Sequence, residues 1–153
     1  MLRERLSDRL RLAMKGREKR AVSTIRLILT AIKDRDIATR GNGDADGISD
    51  QEILKVLQTM VRQRNESITF YEQGGRLELA KQETEEIGII ETFLPERLDE
   101  AATEEAIRSV VGEIGASSIK DMGRTMAILR ERYAGQIDFA KASAVVKVQL
   151  NAG

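Results

Sequence analysis

A chain of 153 residues, 41% hydrophobic and 33% charged, has enough apolar mass for a buried core and is not disordered by composition. Its 25 Lys/Arg balance 25 Asp/Glu, and it has no histidine and no cysteine. Ser-His-Asp and Cys-His catalysis, disulfides, thiolate zinc sites and Glu-x-x-His iron sites are therefore excluded, leaving Ser/Lys pairs, paired carboxylates or a carboxylate-held hard cation.

Many Leu, Ile, Ala, Glu and Arg with one proline and five aromatic residues favour helix over sheet. Leu2, Leu6, Leu10 and Ala13 recur at helical spacing and predict a first amphipathic helix ending near Gly16. A second is predicted from Arg20 to Ala38, with Val22, Ile25, Leu29 and Ile32 inward and Leu27, Ile28 and Ala31 widening that face. The basic, amphipathic N-terminus carries acidic residues and runs into the next helix, unlike a transit peptide, and it has no secretory apolar core. No apolar run approaches the roughly 18 residues that span a bilayer. The expectation is a cytoplasmic protein with no membrane partner.

The segment GNGDADG then interrupts the pattern. Asn42, Asp44, Asp46 and Gly47 imitate the start of an EF-hand loop, but the position of the bidentate glutamate falls on Ile53, with Glu52 one place early. A plain polar loop is the reading that remains. Ser49 and Glu52 form a capping box, and Ile48 and Ile53 a hydrophobic staple, opening a third helix. Its face runs through Ile53, Leu57, Met60, Val61 and Ile68 to Tyr71, and Gly74-Gly75 ends it. A fourth helix follows from Leu77 to Phe93, with Leu77, Ala80, Ile87, Ile90 and Leu94 inward. Its glutamates, Glu83, Glu85, Glu86 and Glu91, read as a solvated face or as partners of the basic first segment rather than as an acid/base pair.

Pro95, the only proline, cannot continue a helix and marks a domain boundary. Beyond it, Asp99 or Thr103 caps a short helix through Ile107, Val110, Val111 and Ile114, closed by Gly115. Ser118, with Asp121 three residues on, caps the next, which Gly135 ends. Asp138 caps a last helix through Val145, Val148 and Leu150. The fold class is all-α: a four-helix N-terminal part over residues 1–94 and a small three-helix domain over residues 95–153.

Charge is unevenly spread. Residues 1–40 hold 12 Lys/Arg against 5 Asp/Glu, residues 41–100 hold 6 against 14, and residues 101–153 hold 7 against 6. Two arrangements fit this polarity: the basic and acidic segments pack together, or each faces its own partner.

One stretch, KDMGRTM from Lys120 to Met126, sets a glycine inside a helix at a cost of about 1 kcal/mol relative to alanine. Ile119, Met122, Met126, Leu129 and Tyr133 form an apolar stripe, with Gly123, Ala127 and Ala134 along one flank and Lys120 and Arg124 just beyond. Two readings fit. Gly123 lets a neighbouring helix approach, or the bare flank admits a sugar-phosphate backbone whose phosphates meet Lys120 and Arg124.

RLILTAIK (Arg26 to Lys33), GGRLELAKQETEEI (Gly74 to Ile87), FLPERL (Phe93 to Leu98) and KDMGRTM, followed by Gly135, Asp138, Ser143 and Val146, together resemble the GatB/YqeY family across nearly the whole chain. These are small helical proteins related to the tail of GatB, a component of tRNA-dependent amidotransferases. The GNGDADG loop is longer than the turn expected there. The resemblance implies a tRNA-associated protein whose C-terminal unit contacts tRNA or other structured RNA. Lys120, Gly123 and Arg124 would lead that contact, supported by Arg130, Lys141 and Lys147. An amidotransferase or an aminoacyl-tRNA synthetase is the implied protein partner. The family's association with glutamine-dependent carbon–nitrogen ligation finds no catalytic residue here. Ser117 and Ser118 lack the Gly-rich surroundings of an amidase nucleophile, and no cofactor or metal ligand set is expected. The alternatives are an accessory component of such a ligase and a helical protein-interaction adaptor.

Overall fold

A computed structural model describes residues 1–41 and 46–152, and every regular element among them is helical. The elements are α1 (Leu2–Lys15), α2 (Lys19–Arg40), α3 (Asp50–Gln73), α4 (Leu77–Glu91), α5 (Glu100–Ile114), α6 (Met122–Arg132) and α7 (Phe139–Ala152). A single 3-10 turn, Ile119–Asp121, precedes α6. The chain forms two compact units, the first running to Pro95 and the second starting at Glu96. Positions Asn42 and Asp44 of the calcium-loop comparison lie outside the described residues.

In the first unit α1 packs on α2, and both α2 and α3 pack on α4. Leu2 and Leu6, Ile25, Ile28 and Ile32, Ile53 and Leu57, and Ile90 and Phe93 meet in one core. The Ser49 hydroxyl accepts the Glu52 amide at 3.2 Å, and Ile48 and Ile53 are both buried beside it. This start of α3 follows the sequence closely.

The buried face of α2 differs from expectation. Ala21, Thr24, Ile25, Ile28 and Ile32 are buried, Val22 and Leu29 are only partly so, and Leu27 is half exposed. The buried residues share one side of the helix, so α2 has a dry face and a long wet one rather than a broad apolar surround.

The inward face of α4 also needs correction. Leu77 is 67% exposed, while Glu86 is only 8% exposed. The α3–α4 hairpin runs past the core: beyond Met60 no residue of α3 is fully buried, and Phe70 near its tip is 73% exposed. Glu86 is drawn inside by charge. Arg64 Nε donates to Glu86 Oε2 at 3.0 Å and Arg64 Nη1 to the Met60 carbonyl at 3.2 Å. Arg20 approaches Glu85 at 3.5 Å and Glu86 at 3.9 Å. Two acidic residues thus meet the basic first segment, but the nearest partner of Glu86 comes from α3. Burial, then the neighbouring Glu86, pushes the Glu83 carboxyl above its usual value, with Arg64 opposing.

A second polar junction closes the other side of this bundle. Arg3 donates to both carboxylate oxygens of Asp36, at 2.7 and 2.8 Å, and to the Ile48 carbonyl at 3.0 Å. The Ile48 amide donates to Asp36 Oδ1 at 2.9 Å. Gly47 has φ +84°, and a Cβ there would lie 2.6 Å from Asp36 Oδ1 and 2.8 Å from Arg3 Nη2. Only glycine fits this turn without strain or displacement of the pair.

Arg3 first, then the Ile48 amide, holds the Asp36 carboxyl at about 2, against an ordinary value of 3.8. Its stabilisation is therefore complete near neutrality and fades as pH falls from about 4 through about 2. Asp36→Asn is expected to cost about 1 kcal/mol at pH 7 once solvent screening is allowed for, with the difference from the unsubstituted protein shrinking towards pH 2. Urea unfolding at pH 7, 4, 3 and 2 measures this. A difference independent of pH would contradict it.

Candidate nucleic-acid interface

The second unit is built from three short helices around Ile107, Val110, Met126, Leu129, Ala142, Val146 and Leu150. Asp99 caps α5 by accepting the Ala102 amide at 2.7 Å, and Gly115, with φ +65°, closes it. The chain then turns through Ser117 and Ser118. Asp121 reaches back to accept their amides at 2.9 and 3.3 Å, so a carboxylate satisfies donors that would otherwise be orphaned at this helix start. Those two amides hold the Asp121 carboxyl below its usual range, and Arg124 adds to the effect.

The 3-10 turn alters the phase of the KDMGRTM stretch. With about three residues per turn, it rotates Ile119 away from the line continued by α6. Ile119 is accordingly exposed, contrary to its expected place in the stripe. Met126 and Leu129 are buried as expected, and Met122 and Tyr133 partly so. Thr125 takes a place that the sequence reading missed. It is fully buried, and its hydroxyl donates to the Asp121 carbonyl at 2.9 Å. That bond keeps a polar group in the core without an unmet hydrogen bond.

Gly123 is exposed, and a Cβ built on it would meet nothing within 4 Å. Gly123, Ala127 and Arg130, at spacings of four and three, fall on one exposed line of α6. Ala134, expected on the same flank, lies beyond the end of α6 and is half-buried. Lys120 is exposed on the 3-10 turn. Arg124 is less free than its spacing suggested. Its Nη2 donates to the Ile114 carbonyl and to Asp121 Oδ1, both at 3.3 Å, while 57% of the side chain remains exposed.

The remaining candidates stand apart. Lys141 and Lys147 are exposed on α7, whose start is capped by Asp138 Oδ1 accepting the Ala140 amide at 3.0 Å. Six residues separate them, which sets them about a third of a turn apart rather than on one line. Val148, expected inward, is exposed, because Ala142, Val146 and Leu150 form the i, i+4 ridge that meets α5 and α6. Arg132 forms a two-pronged pair with Glu113 at 2.5 and 2.6 Å and ties α6 to α5. Among the described residues no group of three or more acidic side chains could hold a metal ion. No helix among them is long and apolar enough to cross a membrane.

Comparison with known proteins places these features in context. The family model described as Yqey-like protein matches residues 3–150. An uncharacterized protein of Schizosaccharomyces pombe is 28% identical over 96 residues, covering 63% of this chain and 71% of that protein.

Since no described residue comes within 4 Å of a Cβ placed on Gly123, Gly123→Ala should stabilise the protein by about 0.5 kcal/mol through helix propensity. Urea or thermal unfolding reads this directly. A loss of stability would mean that the glycine serves the fold.

Proposed function

The chain belongs to the YqeY-like protein family, and from that premise we propose that it is a cytoplasmic, non-catalytic protein that binds tRNA or another structured RNA. The observation that carries the reading is the open line of α6. A helical glycine kept for internal packing should have a neighbour at van der Waals distance, and Gly123, like the helical Gly88 and Gly112, has none among the described residues within 4 Å. A helix line that carries only Gly123 and the Ala127 methyl before Arg130, with Lys120 and Arg124 beside it, suits the approach of a phosphate backbone. Structured RNA is recognised largely by shape and by phosphate and 2′-hydroxyl contact, which asks for such a surface rather than for stacking aromatics. The chain's 3% aromatic content, with no tryptophan, agrees with that mode.

The electrostatics favour a modest affinity. Arg124 spends part of its hydrogen-bonding capacity on Ile114 and Asp121, and Asp121 adds a negative charge beside it. Lys120 then leads the attraction along α6, supported by Arg124 and Arg130, with Lys141 and Lys147 as outlying contacts. The resemblance to the tail of GatB makes tRNA the first RNA to try. It also makes an amidotransferase or aminoacyl-tRNA synthetase the first protein partner to try.

Electrophoretic mobility of bulk tRNA at low, fixed salt tests the interface. Lys120→Ala with Arg124→Ala should weaken binding about tenfold, with only a small fall in unfolding temperature where Arg124 leaves Ile114 and Asp121. Gly123→Leu should weaken it as well, by blocking the flank while leaving every charge in place. Unchanged binding by both variants would overturn this assignment.

A further inference from the structure

The wet face of α2 carries a second pattern. Lys19, Arg26, Lys33 and Arg40 recur every seventh residue, with Ser23, Thr30 and Ile37 interleaved at alternating spacings of four and three. That spacing puts all seven on one line along the helix, and all seven are exposed. Successive cations are about 10 Å apart, and the row spans about 30 Å.

None of the four cations forms an ion pair with a described residue. Other basic residues of the same segment do find acids. Arg3 is paired with Asp36, Arg9 with Glu18, and Arg20 with Glu85 and Glu86. The positive excess of residues 1–40 is thus partly neutralised within the fold; of the eight cations there with no ion pair to a described residue, four fall on this line, and Arg5, Lys15, Arg17 and Arg35 lie elsewhere. Asp36, an acid of α2 near it, is turned onto Arg3 and the Ile48 amide, though it also feels the charge of Arg40. Asp34 stands to one side.

We propose that the outer stripe of α2 is a contact surface for the phosphate backbone of structured RNA, separate from the C-terminal interface and sharing with it only the chemistry of the partner. A protein-binding helix face would need a central group of apolar anchors, and Ile37 is the single apolar side chain on the line. A row of cations of one sign gains instead from counterion release on a polyanion, and Thr30 adds a hydroxyl of the kind that contacts phosphate oxygens.

The test uses the intact protein crosslinked to bulk tRNA at low salt, followed by mapping of the crosslinked peptides. It is paired with the affinity of an Arg26→Glu, Lys33→Glu variant. The proposal expects crosslinks within residues 19–40 and at least a tenfold loss of affinity, with helical content and unfolding temperature unchanged. Crosslinks confined to residues 120–147, with wild-type affinity in the variant, overturn it and leave the C-terminal reading standing. Crosslinks confined to α2 uphold it and remove the C-terminal reading. If the variant keeps its RNA affinity but loses binding to poly-glutamate, the stripe serves an acidic protein and the proposal fails.

Discussion

The carboxylate of Asp36 is the point on which the N-terminal bundle turns. One side chain of α2 accepts two N–H groups from Arg3 of α1 and the amide of Ile48 just before α3. Three segments are joined at a place where a bare charge would be costly, and the charge-assisted bonds are of the stronger two-pronged kind. The junction also fixes how α2 is rotated. With Asp36 turned towards Arg3, and Ile25, Ile28 and Ile32 in the core, the line from Lys19 to Arg40 is exposed.

Charge in this protein therefore has two destinations. Near the core it is matched: Arg64 and Arg20 gather around Glu86, and each partner answers a cost of desolvation the other would otherwise bear alone. At the surface, four cations on one exposed line of α2 form no ion pair with a described residue. The formal net charge of zero conceals this arrangement, because the surplus of one region cancels the deficit of another only in the count. Unpaired cations on a helix otherwise satisfied by its neighbours are available for a polyanion, and that availability is the basis of the functional reading.

Much of the fold was legible because helix ends are written locally. Ser49, Asp99, Gly115 and the glycine pair after Gln73 each mark a boundary through the hydrogen bonds or backbone freedom of a few adjacent residues. What could not be read depended on distant partners. Nothing near Glu86 announces that it will be buried, since the cause is Arg64, 22 residues away. Leu77 sits in a good helical pattern but on a hairpin that outruns its core. Gly47 looked like a plain polar-loop glycine because the Arg3–Asp36 pair beside it is formed by other helices. On the candidate interface the apolar stripe was nearly right. The short 3-10 turn displaced Ile119, and the contact of Arg124 with the end of α5 had no local signature. The open space beside Gly123 lay equally beyond periodicity, which counts faces and cannot say whether a face is occupied.

The most direct test of the account is a titration of intact protein with fluorescently labelled bulk tRNA over a salt series. Binding through phosphate contacts predicts saturable association at low salt and a straight fall of log affinity against log salt, with a slope of about −2 to −5 for a few contacts. Absence of binding at low salt, or an affinity indifferent to salt, would contradict it.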